Sequence, residues 1–172
     1  MEKTDQEFMR IAIEEAAHAL QDGVLPVAAV AVMNGKIVGM GRRHKGDHPY
    51  LDHAEIGAVK EALGNSASGD SITLYSVLEP CLMCFATILN SRRVKRIVYS
   101  LEDPYGGGTS LRQSILTPRY KEWWPQTERG VLREEALTLF EEFFKTTQDV
   151  YWLDTNNPLR KLVEDDKAAF SK

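Results

Sequence analysis

Apolar residues recur at helical spacing in five segments of the chain, with polar residues between them. A repeat of three to four residues places the apolar side chains on one face of a helix, which then packs against a core. A turn signal, Asp22-Gly23, ends the first of these segments. The predicted helices span roughly residues 4–22, 53–63, 81–90, 131–147 and 158–169.

Five shorter runs predict β-strands, most of them continuous apolar stretches bounded by turn residues. Asn34-Gly35 separates the first two runs, and this dipeptide is a strong signal for a tight antiparallel hairpin. Helices between the later strands indicate parallel pairing there. We therefore expect a layered α/β domain. The predicted strands are 27–33, 36–41, 72–78, 94–100 and a short one near 126–129.

Composition and charge are those of an ordinary globular chain. Of the 172 residues, 43% are hydrophobic and 27% are charged, and the net charge is −4. A globally acidic chain binds nucleic acid only through a local basic surface, so the charge weakens that function without excluding it. Because the sequence contains neither an apolar membrane span nor a secretory signal, we expect a cytoplasmic protein without membrane contact.

The only two cysteines follow Pro80 in a Pro-Cys-x-x-Cys pattern, where a strand leads into a helix. Cys81 and Cys84 are therefore predicted to lie at a helix N-terminus, where unpaired N–H groups and the helix dipole favour the thiolate. Thiolate is the form that binds zinc. On its own, such a pair also fits a redox site or half of a structural zinc site.

His53 is a candidate third ligand because it opens a predicted helix after a loop. Three protein ligands with one open position are typical of catalytic zinc, whereas four ligands close a structural site. Glu55 lies in the first turn of the same helix, where a carboxylate could exchange protons with a water molecule activated by zinc. His44 and His48, in the preceding loop, are ligands by residue type, but loop histidines are usually solvated.

A known signature unites these residues. His53-Ala54-Glu55, followed by Pro-Cys-Leu-Met-Cys, matches the His-x-Glu…Pro-Cys-x-x-Cys pattern of the zinc nucleobase deaminases. Leu25-Pro26-Val27 and the stretch from Asp103-Pro104 to Ser110 add to the likeness. The sequence thus resembles the cytidine deaminase-like superfamily over roughly residues 5–147. It is most similar to the branch that holds tRNA adenosine deaminases, guanine deaminases and cytosine deaminases.

This resemblance implies an architecture. The expected fold is three-layer α/β/α around a central mixed five-stranded sheet. We expect residues 1–147 to form the deaminase domain and residues 148–172 to form a tail and helix that pack on the same domain. The resemblance also implies a homodimer with the pocket close to its interface.

The resemblance implies a reaction as well. A zinc-dependent deaminase hydrolyses an exocyclic amine of a nucleobase or nucleoside to a carbonyl and releases ammonia. Zn²⁺ would be the cofactor, with Glu55 as the catalytic residue that moves protons. A non-catalytic zinc-binding module that holds a partner is the alternative from another class. The expected metal ligands are His53, Cys81 and Cys84.

Two substrate classes stay open. The stretch 103–110 is most similar to tRNA adenosine deaminases, for which tRNA would be the partner. Arg42-Arg43, however, stands where related enzymes have an asparagine that contacts the base, and Ala28 stands where the tRNA enzymes often have glycine. With the acidic net charge, these differences favour a small nucleobase or nucleoside as the substrate.

Three further residues are candidates for substrate binding. Arg43 belongs to a basic loop, 42–45, that could bind a phosphate, although a charged loop is more often simply solvated. Related free-base deaminases fold a C-terminal segment with aromatic residues over the pocket. By resemblance, Phe144 and Trp152 could form such a lid, and the alternative is that these aromatic residues belong to the core.

Overall fold

The computed structural model describes residues 4–46, 48, 50–65 and 69–170, and the side chains of residues 167–170 are not among the groups described. Residues 47 and 49 of the loop before His53 lie outside this description. So do residues 171 and 172 at the end of the predicted tail.

Five strands form one mixed sheet in the order β2-β1-β3-β4-β5. β1 pairs antiparallel with both β2 and β3, whereas β3, β4 and β5 run parallel. The predicted hairpin is confirmed, since Asn34 and Gly35 both have positive φ, at 50° and 72°, as a primed two-residue turn requires. The strands are β1 (Ala28–Met33), β2 (Lys36–Arg42), β3 (Ile72–Leu78), β4 (Val94–Leu101) and β5 (Gln126–Arg129).

Seven α-helices surround the sheet within the described residues, and all five predicted helices are among them. α1 begins with a capping box between Thr4 and Glu7, which satisfies free N–H groups at its start. Two short helices, α4 and α6, have no periodic signal in the sequence. The helices are α1 (Asp5–Gln21), α2 (Ala54–Gly64), α3 (Leu82–Ser91), α4 (Pro118–Glu122), α5 (Arg133–Thr146), α6 (Val150–Leu153) and α7 (Pro158–Phe170).

The helices cover both faces of the sheet, as expected for a three-layer fold. α2 and α3 pack together on one side, and α1 packs with α5 on the other. β2 approaches α2 closely because Gly39 and Gly41 carry no side chain, and a Cβ at either position would collide with a carbonyl oxygen of α2. This close approach fixes the start of α2, where His53 lies.

The C-terminal segment contributes to the same core. Leu159 and Val163 of α7 are buried with the side chains of α5, including Phe140 and Phe144. Among the described residues, no helix has both the length and the apolar character needed to cross a bilayer.

Candidate active site

Three potential metal ligands meet where α2 and α3 begin, beside the carboxyl end of β3. His53 is the N-cap residue of α2 and Cys81 is the N-cap residue of α3. Neither side chain caps its own helix, which leaves the imidazole and the thiol available as ligands. Cys84 lies in the first turn of α3 and is buried. Pro80 precedes the N-cap residue, so it lies just outside the helix rather than in its first turn.

The three ligand atoms are as close together as a tetrahedral metal requires. The Nδ1 atom of His53 lies 3.4 Å from Sγ of Cys81 and 3.3 Å from Sγ of Cys84, and the two sulfurs are 3.5 Å apart. Tetrahedral zinc with ordinary bond lengths places such atoms about 3.6 to 3.8 Å apart. The ligand set therefore fits Zn²⁺, and three ligands leave the fourth position to solvent or substrate.

The two sulfurs lie within hydrogen-bonding distance of each other. This hydrogen bond, with help from His53, lowers the pKa of Cys81 to about 4. The same hydrogen bond and burial raise the pKa of Cys84. The environment of Cys81 therefore favours its thiolate, the form of cysteine that binds metal.

Glu55 is buried beside these ligands, with only 4% of its surface exposed. Burial and the nearby charge of Cys81 raise the pKa of its carboxyl to about 7, although the hydrogen bond from its backbone N–H and the charge of His53 act in the opposite direction. The carboxyl also interacts with Cys84. A carboxyl group with this environment can exchange protons at neutral pH.

A glycine-rich loop, residues 103–109, is held against the ligand turn. The backbone N–H of Leu82 donates to the carbonyl of Gly106, and that of Gly108 donates to the carbonyl of Pro80. Gly107 pairs with Cys81 in an isolated β-bridge. The loop therefore fixes the backbone on both sides of Cys81.

Glu79 holds this loop through hydrogen bonds from its side chain. Its buried carboxylate accepts hydrogen bonds from the N–H of Asp103 at 3.1 Å and from Thr109, whose hydroxyl lies at 2.5 Å. A Cβ on Gly107 would collide with this carboxylate. The glycine triplet in the sequence was the available signal, because close backbone approach requires such residues.

The two arginines of the basic loop have different surroundings. Arg42 pairs with Glu15 at 3.4 Å and with Asp22 at 3.8 Å, so it extends toward α1. Arg43 is half-buried, and its Nη1 donates to the carbonyl of Asp52 at 2.8 Å. Arg43 therefore fixes the residue that immediately precedes His53.

The predicted lid residues pack mainly against one another. Phe144 is buried, and Trp152 is half-buried with its ring 6.1 Å from that of Phe144 and 6.0 Å from that of Phe143. Tyr151 is the tail residue that approaches the site. Burial, together with the nearby Tyr105, Asp103 and Tyr50 groups, raises its pKa to about 12.

The remaining histidines lie apart from the ligand cluster. Among the described residues, the only group placed to share a metal is His53, Cys81 and Cys84. His44 and His48 are exposed loop residues, and His18 lies 3.6 Å from Glu15 on α1.

The fold and the ligand set define a class. A mixed sheet that carries a His-Cys-Cys cluster and a buried glutamate at two helix starts is the framework of a zinc-dependent deaminase. Residues 2–101 match the family described as "Cytidine and deoxycytidylate deaminase zinc-binding region". The chain belongs to this family. It is a zinc-dependent nucleobase or nucleoside deaminase, a hydrolase of C–N bonds.

Relatives and solved structures agree with this membership. A "tRNA-specific adenosine deaminase" of Streptococcus pyogenes is 31% identical over 143 residues, covering 80% of this chain and 88% of the relative. One from Aquifex aeolicus is 35% identical over 148 residues, covering 80% and 92%. A structure from work on "A-to-I Editing by tRNA:A34 Deaminases" is 29% identical with a TM-score of 0.64, covering 77% of this chain and 98% of that one. The structure of NE0047 in complex with 2,6-diaminopurine shares the fold, with a TM-score of 0.69 at 20% identity. The match covers 86% of this chain and 84% of that one.

Proposed function

We propose that this deaminase converts adenosine to inosine within tRNA. The carrying observation is the similarity to tRNA-specific adenosine deaminases across four fifths of the chain and nearly the whole length of those relatives. Exposed aromatic residues close to the ligands support the proposal, since Tyr50, three residues before His53, and Tyr105, next to Gly106, are 76% and 64% exposed. Exposed aromatic rings can stack on the bases that flank a target nucleotide.

The residues of the site divide the chemistry between them. His53, Cys81 and Cys84 would hold Zn²⁺, which when bound activates water for attack on the carbon that bears the amine. Glu55 lies within reach of this position and would accept the proton of the attacking water. It would pass this first proton to the ring nitrogen. It would then take the proton of the hydroxyl newly added to the ring carbon and give it to the departing amine, so that ammonia leaves and a carbonyl remains.

A free nucleobase or nucleoside is the second candidate substrate, and the position of Tyr151 favours it. This residue lies close to Asp103 and Tyr105, so α6 would lie beside the glycine-rich loop that is held against the ligand turn. Trp152 and Phe144 would then support the lid from behind, and Arg43 could donate to a substrate oxygen or phosphate. Tail residues 148–172 would belong to the same domain as residues 1–147 in either case.

Ammonia release separates the two candidates. The enzyme is given guanine, cytosine, free adenosine and an anticodon stem-loop RNA. Turnover of the stem-loop with none of the free compounds supports the proposal, and turnover of a free compound alone refutes it. Glu55→Gln should reduce ammonia release about 10²- to 10⁴-fold while the protein keeps its zinc. Glu61→Gln, an exposed change on the same helix, is the matched control.

We also propose a cytoplasmic homodimer. Leu82 on α3 and Leu63 on α2 are 57% and 40% exposed, and apolar side chains at such positions are suited to a subunit interface. Both cysteines lie in the candidate metal site, which suits a reducing compartment. The mass of the protein by light scattering tests the dimer.

A further inference from the structure

A basic surface lies at the end of α3 that is remote from the metal ligands. Its centre is Trp123, and the guanidinium carbons of Arg92 and Arg119 lie 4.3 and 5.3 Å from the centroid of that ring. Arg92 follows α3, and Arg119 belongs to α4. We call Arg92, Arg119 and Trp123 the basic platform.

The platform is held in place by packing between α3 and α4. The ring of Trp124 contacts that of Phe85 at 4.7 Å, and the hydroxyl of Tyr120 donates to Asn90 at 3.4 Å. Trp123 itself is half-buried, with the Tyr120 ring at its edge. The two arginines therefore project from a fixed base.

In the part of the chain that the structure describes, neither platform arginine has an acidic partner. Both side chains are exposed, and within residues 4–46, 48, 50–65 and 69–170 no carboxylate forms an ion pair with either of them. Other arginines differ, since Arg96 and Arg133 each pair with two carboxylates. The positive charge of the platform is therefore available to an external anion.

The segment of the chain that contains the platform is positively charged. Residues 90–129 contain eight basic and four acidic side chains, a net charge of +4, while the rest of the chain carries −8. Residues 90–129 are thus a positively charged segment of an acidic protein, and this segment contains the platform. Phosphates bind to such clusters, and arginines stacked on an aromatic ring also offer their planar faces to bases.

We propose that the basic platform binds the RNA strand that flanks the target nucleotide. This inference rests on the proposed function, because it assigns part of the substrate to a second surface. α3 has ten residues and is about 15 Å long, so the platform lies roughly that far from Cys81. A free nucleoside in the pocket would not extend to it, whereas a polynucleotide can contact both places.

The test compares two doubly substituted proteins that lose the same charge. Arg92→Gln with Arg119→Gln removes the platform, and Lys36→Gln with Lys60→Gln removes two exposed lysines elsewhere. Binding of a labelled anticodon stem-loop is followed by fluorescence anisotropy between 50 and 200 mM salt, and thermal unfolding verifies the fold. We expect about tenfold weaker binding for the platform variant alone. Its log–log salt slope should be shallower by about 1.4 to 1.8, as for two lost phosphate contacts.

Further measurements make the result specific. Arg92→Lys with Arg119→Lys keeps the charge and should restore the salt slope, though not the part of the affinity that depends on stacking. Unchanged stem-loop affinity in the Gln variant would overturn the inference. If the molecular mass of that variant changed as well, the platform would be a self-association surface instead. If the native protein binds the stem-loop through the platform without releasing ammonia from it, the proposed function fails while the platform stands.

Discussion

Glu79 accepts two hydrogen bonds from Thr109, thirty residues further along the chain: the backbone N–H at 3.0 Å and the hydroxyl at 2.5 Å. The other carboxylate oxygen accepts the N–H of Asp103. Because Glu79 is two residues from Cys81, this contact joins the glycine-rich loop to the ligand turn. The backbone conformation around Cys81 thus depends on a carboxylate that is not itself a metal ligand.

Glu79→Ala should therefore loosen the ligand turn. The change leaves two partly buried backbone N–H groups without their acceptor, which should cost about 2 to 4 kcal/mol of unfolding free energy. Zinc affinity should fall about 10- to 100-fold, as for other groups that orient metal ligands. Denaturant unfolding and competition with a zinc chelator measure the two effects.

Thr109 offers a graded comparison for the same contact. Thr109→Val removes only the hydroxyl and should cost about 1 kcal/mol, whereas Thr109→Ser keeps the hydroxyl and should cost less. Equal zinc retention in the native protein and Glu79→Ala would show that the loop is held without this carboxylate.

The local signals in the sequence predicted the elements and the ligands well, because both depend on residues that are close in sequence. Asn34-Gly35 specified the hairpin and helical spacing specified α1. The ligand cluster followed from two helix starts, each with its own motif. The predicted start of the helix at residue 81 was one residue too early, since Cys81 is the N-cap residue and α3 begins at Leu82.

Contacts between distant segments could not be predicted in the same way. Arg42 and Arg43 are adjacent and chemically identical, yet one pairs with α1 and the other holds the carbonyl of Asp52. Their difference comes from the end of β2, where successive side chains leave opposite faces of the strand. The platform arginines likewise meet at Trp123 only because α4, which has no periodic signal, packs on α3.

Substitution of the ligands should remove the metal. Cys84→Ser replaces a thiolate with a hydroxyl that stays protonated, so the zinc content should fall from one ion per chain toward zero. His53→Ala should have the same effect. Metal analysis of the purified proteins measures this, with His18→Ala on α1 as the control that keeps full occupancy. A fully loaded Cys84→Ser protein would mean that the cluster is not the zinc site.

Two glycines that face each other should respond to alanine with opposite signs. A Cβ on Gly41 would collide with the carbonyl oxygen of Ala54, next to His53, whereas a Cβ on Gly57 has Gly41 as its nearest neighbour at an ordinary 3.7 Å. We expect Gly41→Ala to destabilise the protein by about 1 to 3 kcal/mol and Gly57→Ala to stabilise α2 by about 0.5 to 1 kcal/mol.

Thermal and denaturant unfolding measure the free energy of unfolding of each variant relative to the native protein. Equal effects would mean that β2 can move away from α2 without cost. Zinc content is a second readout. Gly41→Ala should lower it, because displacement of Ala54 also disturbs His53, whereas Gly57→Ala should leave it unchanged.

Asp5 links the start of α1 to the sheet, and this contact should make part of the stability depend on pH. Arg96 donates to both carboxylate oxygens at 2.7 Å, and the hydroxyl of Tyr75 donates to one of them at 2.7 Å. The hydrogen bonds from Arg96 lower the pKa of Asp5, while burial partly opposes them. The folded state thus favours the ionised carboxylate more than the unfolded state does.

The sign of the pH effect follows from this difference. A carboxyl with a lower pKa in the folded state stabilises the protein fully above its unfolded pKa, near 4, and the stabilisation is lost as the pH falls through the folded pKa. Asp5→Asn should therefore cost about 1 kcal/mol at pH 7, a figure reduced for partial exposure, and progressively less below pH 4. Glu14→Gln, exposed on the same helix, should show no such convergence. A cost for Asp5→Asn that stays constant from pH 7 to pH 3 would mean that shape, rather than the ionised Asp5–Arg96 pair, supplies the stability.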